Sequence, residues 1–340
     1  MVLLGSTKPS DSNMFYDTLP MYQVPEDTKE VVQSLGLRQN IIDMQERGYT
    51  ILTDVAPDEF NQHLRNAILR RKGGFCLINN EAQDDVFLQA ATNPKMLALA
   101  EVMVGQGCLL HQVAGSVKRA PRDPDKHGMG LHSDQNWLPA PFPEHNQSLT
   151  CCWATDEYTF ENGATRIVIG SHKRRRHPSQ EEMDQVTDPS FATPIEAPAN
   201  SIIVWDGSVW HTGGHRTNPG ERVVLHVTYA RICQRQIESY DHVTDETVER
   251  VASSTPWATE PNVIRMLLGR TGYFHRTADR KQWMPDGLFR DMIPMVKGAA
   301  TREHILQTVE KARLDPALQR MRALEAQVNH LKAQLAAAKH

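Results

Sequence analysis

No run in this 340-residue chain approaches the roughly 18 consecutive apolar residues needed to span a membrane. Cysteine is scarce. The five present (Cys76, Cys108, Cys151, Cys152 and Cys233) are odd in number and lack Cys-x-x-Cys spacing. That argues against a disulfide framework or a structural zinc site and for free thiols in a reducing compartment. An excess of basic charge is also missing. With 37 Lys+Arg against 41 Asp+Glu, the formal charge is −4, which disfavours sequence-independent nucleic-acid binding. The opening Met1-Val2-Leu3-Leu4-Gly5 is too brief an apolar stretch for a signal peptide, and Ala338-Lys339-His340 is not a Ser-Lys-Leu address. A cytoplasmic location is therefore expected. What is there, at 40% apolar residues, is the composition of an ordinary globular chain.

Residues 1–25 show no periodicity and read as a lead-in. Thr28 to Arg47 carries Val31, Val32, Leu35, Ile41, Ile42 and Met44 around Gly36, a pattern of two short amphipathic helices. Gly48 to Thr53 alternates as a strand does. Pro57-Asp58-Glu59 opens a helix through Leu69, with proline in its first turn and acids at its positive end. Pro94 to Met103 is another helix, closed by Gly105. From residue 108 short β-type runs take over: Cys108–Val113, Ser148–Thr155, Arg166–Ile169, Ser201–Trp205 and Arg222–Arg231. Breaker-rich loops separate them, which predicts an antiparallel sandwich or jelly roll. The segments 121–130 and 172–198 read as long loops. Arg174-Arg175-Arg176, in the second, reads as solvated surface or as a phosphate patch. Helical character returns after Ile232. Met321, Leu324, Val328, Leu331 and Leu335 then form a heptad stripe, suited to packing on the chain's own surface or to pairing with a second copy.

The chemistry-bearing stretch is Leu131-His132-Ser133-Asp134. Read as a strand, it puts His132 and Asp134 on one face and Ser133 on the other. His211, from the distant Trp210-His211 pair, supplies a third ligand. Two imidazoles and a carboxylate with open positions make the facial triad of non-haem Fe(II) oxygenases. The breakers Thr212-Gly213-Gly214 and Asn218-Pro219-Gly220 lead into a return strand from Glu221. That return is expected to bring Arg222 near His211 across the ladder. Its planar fork matches the far carboxylate of 2-oxoglutarate, although a surface ion pair is the plainer role. His226 shares Arg222's face by parity, which can turn it inward, while His111, His172 and His177 complete no better ligand set and read as structural or surface residues. Trp205 and Trp210 read as packing residues.

Leu131-His132-Ser133-Asp134, Trp153-Ala154-Thr155-Asp156-Glu157, the Asn162-Gly163 turn leading into Gly170-Ser171-His172-Lys173, His211-Thr212-Gly213-Gly214 and Arg222 together resemble the phytanoyl-CoA dioxygenase family of Fe(II)/2-oxoglutarate-dependent oxygenases. Gly48-Tyr49-Thr50-Ile51-Leu52 resembles the family's entry strand. The resemblance implies a mainly β fold, a double-stranded β-helix (jelly roll, cupin-like) with flanking α-helices. It places the oxygenase core at 46–235, after a lead-in with helices at 1–45. A helical extension at 236–315 and the heptad-like helix at 316–340 would follow. It assigns iron to His132, Asp134 and His211, and the 2-oxoglutarate carboxylate to Arg222. Gln112 resembles a position near the cosubstrate. Ser116 and Lys118 share its face by parity and are either cosubstrate contacts or ordinary strand residues. Gln135 and Trp137 are candidate substrate contacts, with a core role the alternative for Trp137. One departure is His215, where the family usually has Asn.

The implied reaction oxidises an unactivated C–H bond of a small molecule with O2, converting 2-oxoglutarate to succinate and CO2. Hydroxylation is the simplest outcome. Halogenation is disfavoured because Asp134 fills the position a halide would need. Three alternatives stand beside this reading. One is a zinc-dependent hydrolytic or isomerising jelly roll with the same ligands. Another is a non-catalytic binding or assembly protein using the C-terminal heptads. The third concerns substrate alone: an acyl-CoA, for 2-hydroxylation, in place of a free small molecule such as a biosynthetic intermediate.

Overall fold

The structure is a computed structural model that describes residues 26–78, 84–105, 107–119, 130–257 and 259–270. The lead-in, the loop at 121–129 and everything from 271 onward, the heptad stripe included, lie outside the described residues. Among the described residues, eight strands form two antiparallel sheets: β1 (Tyr49–Leu52), β2 (Leu109–Arg119), β3 (Ser148–Ala154), β4 (Thr165–Ile167), β5 (Thr193–Pro194), β6 (Ser201–Asp206), β7 (His211–Gly213) and β8 (Glu221–Ala230). The larger sheet has the order β1-β6-β3-β8-β2 and the smaller β5-β4-β7. Two antiparallel sheets flanked by helices are the jelly-roll arrangement expected.

Period-2 alternation decides which way each strand faces. In β8, Val223, Leu225, Val227 and Tyr229 turn to the helices and join a core with Leu149, Cys151 and Trp153 of β3 and with Ile202 and Val204 of β6. Each large apolar side chain so buried contributes about 2 kcal/mol. The intervening residues turn the other way. Cys152, Ala154, Ile203, Trp205 and Val224 form a second cluster with Tyr158, Ala164 and Ile167 around the smaller sheet. Polar residues of the same parity are left facing the space between the sheets.

The helices begin and end where their residues dictate. Asn93 caps Pro94–Val104, its side chain accepting from the N–H groups of Lys95 and Met96. Gly48 ends Arg38–Arg47 at φ 83°. A Cβ there would lie 2.5 Å from the His172 ring, so only glycine lets the segment after β4 pack on this turn. Residues 172–198 are not simply a loop. They include the 3-10 helix Ser171–Arg174, the helix Gln180–Asp184 with a Ser179/Glu182 capping box, and β5. Beyond the sheets, the helices Asp245–Ser254 and Pro261–Leu267 add Val248, Val251, Ile264 and Leu267 to the main core. None of the five cysteines is in a disulfide. No described helix is long and apolar enough to cross a membrane.

Candidate metal centre

His132 and His211 are joined through their backbones. His132 N–H donates to His211 O at 3.1 Å and His211 N–H to His132 O at 2.8 Å. This hydrogen-bonded antiparallel pair sets both side chains on one face. It is an isolated bridge, so the expectation of a strand through His132 and Asp134 is corrected. One bridge and a turn, not a continuous ladder, aim the pair. Ser133 does point away: it is fully buried, and its hydroxyl lies 3.4 Å from His177 Nδ1.

The ligand atoms of His132, Asp134 and His211 lie within 4.8 Å of one another, the one such cluster among the described residues. Asp134 Oδ1 is 3.4 Å from His211 Nε2 and 3.8 Å from His132 Nε2. Its other oxygen accepts from Thr150 Oγ1 at 2.7 Å and from Trp205 Nε1 at 2.9 Å. Burial disfavours the carboxylate. His211 and these two donors outweigh it and hold Asp134 well below the usual carboxylate range. His132 Nδ1 faces Gly130 O at 2.8 Å and His211 Nδ1 faces Val209 O at 3.2 Å. A carbonyl only accepts, so each Nδ1 carries a proton, and each Nε2, on the Asp134 side, is the atom left to bind a metal. Burial and His211 lower the His132 pKa, favouring the neutral, metal-binding form. The donor set, its tautomers and its second contacts fit a divalent metal held from one side.

The cluster lines a cavity of about 600 Å³ between the sheets. At another part of its wall Arg222, only 3% exposed, faces Lys118 across β2 and β8. The expectation that the return strand carries Arg222 past His211 on one ladder is corrected. β8 pairs with β2 and β3, whereas His211 belongs to β7 in the smaller sheet. The two residues meet at the cavity from opposite sheets. Arg222 Nη1 donates to Gly163 O at 2.6 Å, and its guanidinium stacks 4.3 Å from the Tyr158 ring. Its buried Nε has no partner among the described residues. Gly163, of the Asn162-Gly163 turn, holds φ 77°, and a Cβ on it would lie 2.9 Å from Lys118 Cδ. Lys118 donates to Gly214 O. Burial, reinforced by Arg222, pulls its pKa down to about 8. Two cations here lack a facing carboxylate in any described ion pair, so the pocket is chemically suited to a carboxylate ligand.

Gln112 and Ser116 line the cavity, on the face parity gives them. Trp137 also lines it, and is half exposed rather than in the core. Gln135 is corrected: it is 2% exposed, its N–H donates to Gly207 O, and it is not among the lining residues. Its neighbour Asn136 is. His226 lies at the cavity, where burial, opposed by Asp134 and helped by Arg222, pushes it down to about 4. The sequence reading missed Thr150 as an orienting residue and took Trp205 for packing. The usable signal was parity: both share the inward face of apolar strands. Ser171 accepts from the Trp210 N–H at 2.8 Å, so the Gly-Ser-His-Lys segment fixes the backbone just before His211.

The model of the phytanoyl-CoA dioxygenase family (PhyH) matches residues 43–224. This chain belongs to the phytanoyl-CoA dioxygenase family. It is, accordingly, an Fe(II)/2-oxoglutarate-dependent oxygenase. Among relatives, Dioxygenase af480 of Aspergillus fumigatus is 32% identical over 152 residues, 44% of this chain and 46% of that protein. The match thus spans about half of that relative. The uncharacterized protein Mb1539 of Mycobacterium bovis is 24% identical over 67% of this chain and 77% of its own. Among solved structures, HygX of Streptomyces hygroscopicus with nickel and 2-oxoglutarate bound is 14% identical at a TM-score of 0.49, over 62% of this chain and 93% of that one.

Proposed function

We propose that this family member hydroxylates an unactivated C–H bond of a small, largely apolar organic molecule, with release of succinate and CO2. The observation that carries the reading is one cavity holding both the His132–Asp134–His211 cluster and the Arg222–Lys118 pair. His132 Nε2, His211 Nε2 and Asp134 Oδ1 would hold Fe(II). Arg222, with its free Nε, and Lys118 would hold the far carboxylate of 2-oxoglutarate. Bound iron and cosubstrate supply the oxidising chemistry. The chain orients them: Thr150 and Trp205 fix the Asp134 carboxylate, and Gly163 O and Tyr158 fix the Arg222 fork. The sheets exclude bulk water around them.

The arginine run favours a free small molecule over an acyl-CoA. Arg174 and Arg176 both pair with Glu182 and stack on Trp210, while Arg175 pairs with Glu144. None lines the cavity, so the arginines are engaged with Glu182 and Glu144 outside it. The test is succinate release from the full chain with Fe(II), 2-oxoglutarate and O2, across a panel of apolar alcohols and ketones and matched CoA thioesters. Stimulation by a panel member, with an oxygenated product, is expected. A thioester turning over faster than its free acid would reverse the substrate assignment. Zinc-supported turnover without succinate would overturn the reaction.

A further inference from the structure

His111 stands out at the mouth of the cavity. It is 2% exposed, yet neither ring nitrogen has a partner among the described residues. A buried polar group left unpaired costs free energy, so its persistence points to a partner that comes and goes. The residue is placed there by a register irregularity. β2 pairs Leu110 with Tyr229 and Gln112 with Thr228, leaving His111 as the extra residue of a bulge. Without the bulge, Gln112 would share the helix-facing side of Leu110. With it, His111 and Gln112 both line the cavity.

The bulge is held firmly. The His111 carbonyl accepts from the N–H groups of Ile237 and Glu238 at 3.2 and 3.3 Å. The buried Glu238 carboxylate in turn accepts from Cys76 N–H at 2.9 Å, Val113 N–H at 3.1 Å and the Tyr240 hydroxyl at 3.2 Å. One carboxylate thus ties together three segments of the rim. Those segments present Phe75 and Ile237, 73% and 51% exposed, and beside them lies Trp137, 50% exposed, its ring 5.4 Å from that of His111. Large apolar side chains left exposed together around a concave site mark a surface made to be covered. Burial lowers the His111 pKa, leaving a neutral imidazole with one donor and one acceptor.

We propose that His111 is the substrate-recognition residue. Its imidazole hydrogen-bonds a carbonyl or hydroxyl oxygen of a substrate whose hydrocarbon rings lie against Trp137, Phe75 and Ile237. The inference rests on the oxygenase reading and names the class of molecule that site takes. Glu238 is a positioning residue for the same rim.

The test uses three bicyclic probes of one skeleton, 1-tetralone, 1-tetralol and tetralin, titrated into the full chain by ligand-observed NMR. The wild type should bind the ketone and the alcohol about five- to tenfold more tightly than the hydrocarbon, the worth of one good hydrogen bond. His111→Phe should abolish that preference without weakening tetralin, and His111→Gln, which keeps a donor and an acceptor, should retain part of it. His111→Leu decides in the same way should phenylalanine not fit. A preference that survives in His111→Phe or His111→Leu overturns the proposal, as does a wild type that shows no preference or binds none of the three. Calorimetry of 2-oxoglutarate with the Fe(II)-loaded chain under nitrogen keeps the two readings apart. It should be unchanged by the His111 substitutions, and its absence in the wild type would overturn the oxygenase reading alone.

Discussion

Arg222→Met should nearly abolish the stabilisation that 2-oxoglutarate gives this protein. The guanidinium is 3% exposed and its Nη1 is committed to Gly163 O at 2.6 Å, while Nε has no partner among the described residues. A charge-assisted hydrogen bond contributes about 1.5–3 kcal/mol, and a carboxylate gripped by this fork should lose roughly 3 kcal/mol with the methionine, or ~150-fold in Kd. At a concentration of ~100 times the wild-type Kd, the ligand stabilises the wild type by about 2.7 kcal/mol and the variant by ~0.3 kcal/mol. For a chain of this size that is a rise in Tm of roughly 4–5 °C against ~0.5 °C. The assay is differential scanning fluorimetry with and without 2-oxoglutarate, at fixed Mn(II) under nitrogen. Only the ligand-induced shift within each protein is compared, so the lost Gly163 bond and Tyr158 stacking drop out. A full shift in Arg222→Met would refute the assignment of the cosubstrate carboxylate to this end of the cavity.

Thr150→Val should weaken metal binding about ten- to a hundredfold, because a donor that orients a metal ligand is lost. Asp134→Asn should weaken it further, and anaerobic calorimetry with Fe(II) checks the order. Ser171→Ala should cost about 1–3 kcal/mol in urea unfolding by orphaning the buried Trp210 N–H. A neutral result would mean the N–H finds another partner. Lys118→Met probes pH dependence. With the folded pKa drawn from 10.5 to about 8, the lysine is charged in both states below pH 8, where burying it costs most. Between the two values the unfolded chain binds more protons, so this lysine's contribution to stability rises with pH. The stability advantage of Lys118→Met over wild type should therefore be greatest below pH 8 and shrink toward pH 10.5. An advantage independent of pH would contradict the buried-charge account.

Much of the site is legible in one dimension because it depends on residue identity and short spacing. His132, Asp134 and His211 carry the metal-binding atoms, and the Gly163 and Gly170 turns carry backbone demands that few residues meet. Parity then places Ser116, Lys118, Arg222 and His226 inward, because a strand has only two faces. The strands around Ser148–Ala154 and Ser201–Asp206 are equally plain, since each is a short, apolar, β-branched run between breakers.

Tertiary structure decided everything that depends on which strands become neighbours. Nothing local says that β8 pairs with β2 and β3, so Arg222 was expected on His211's ladder and is found on the opposite sheet. Nothing local marks the extra residue in β2, and that one-residue shift is what puts His111 and Gln112 side by side on the cavity wall. Thr150 and Trp205 look like ordinary strand residues until folding brings them to the Asp134 carboxylate from two different strands. Side-chain chemistry is fixed by the chain alone. Which groups share a buried space is set by long-range packing, and here that packing separates a metal ligand from a satisfied core residue.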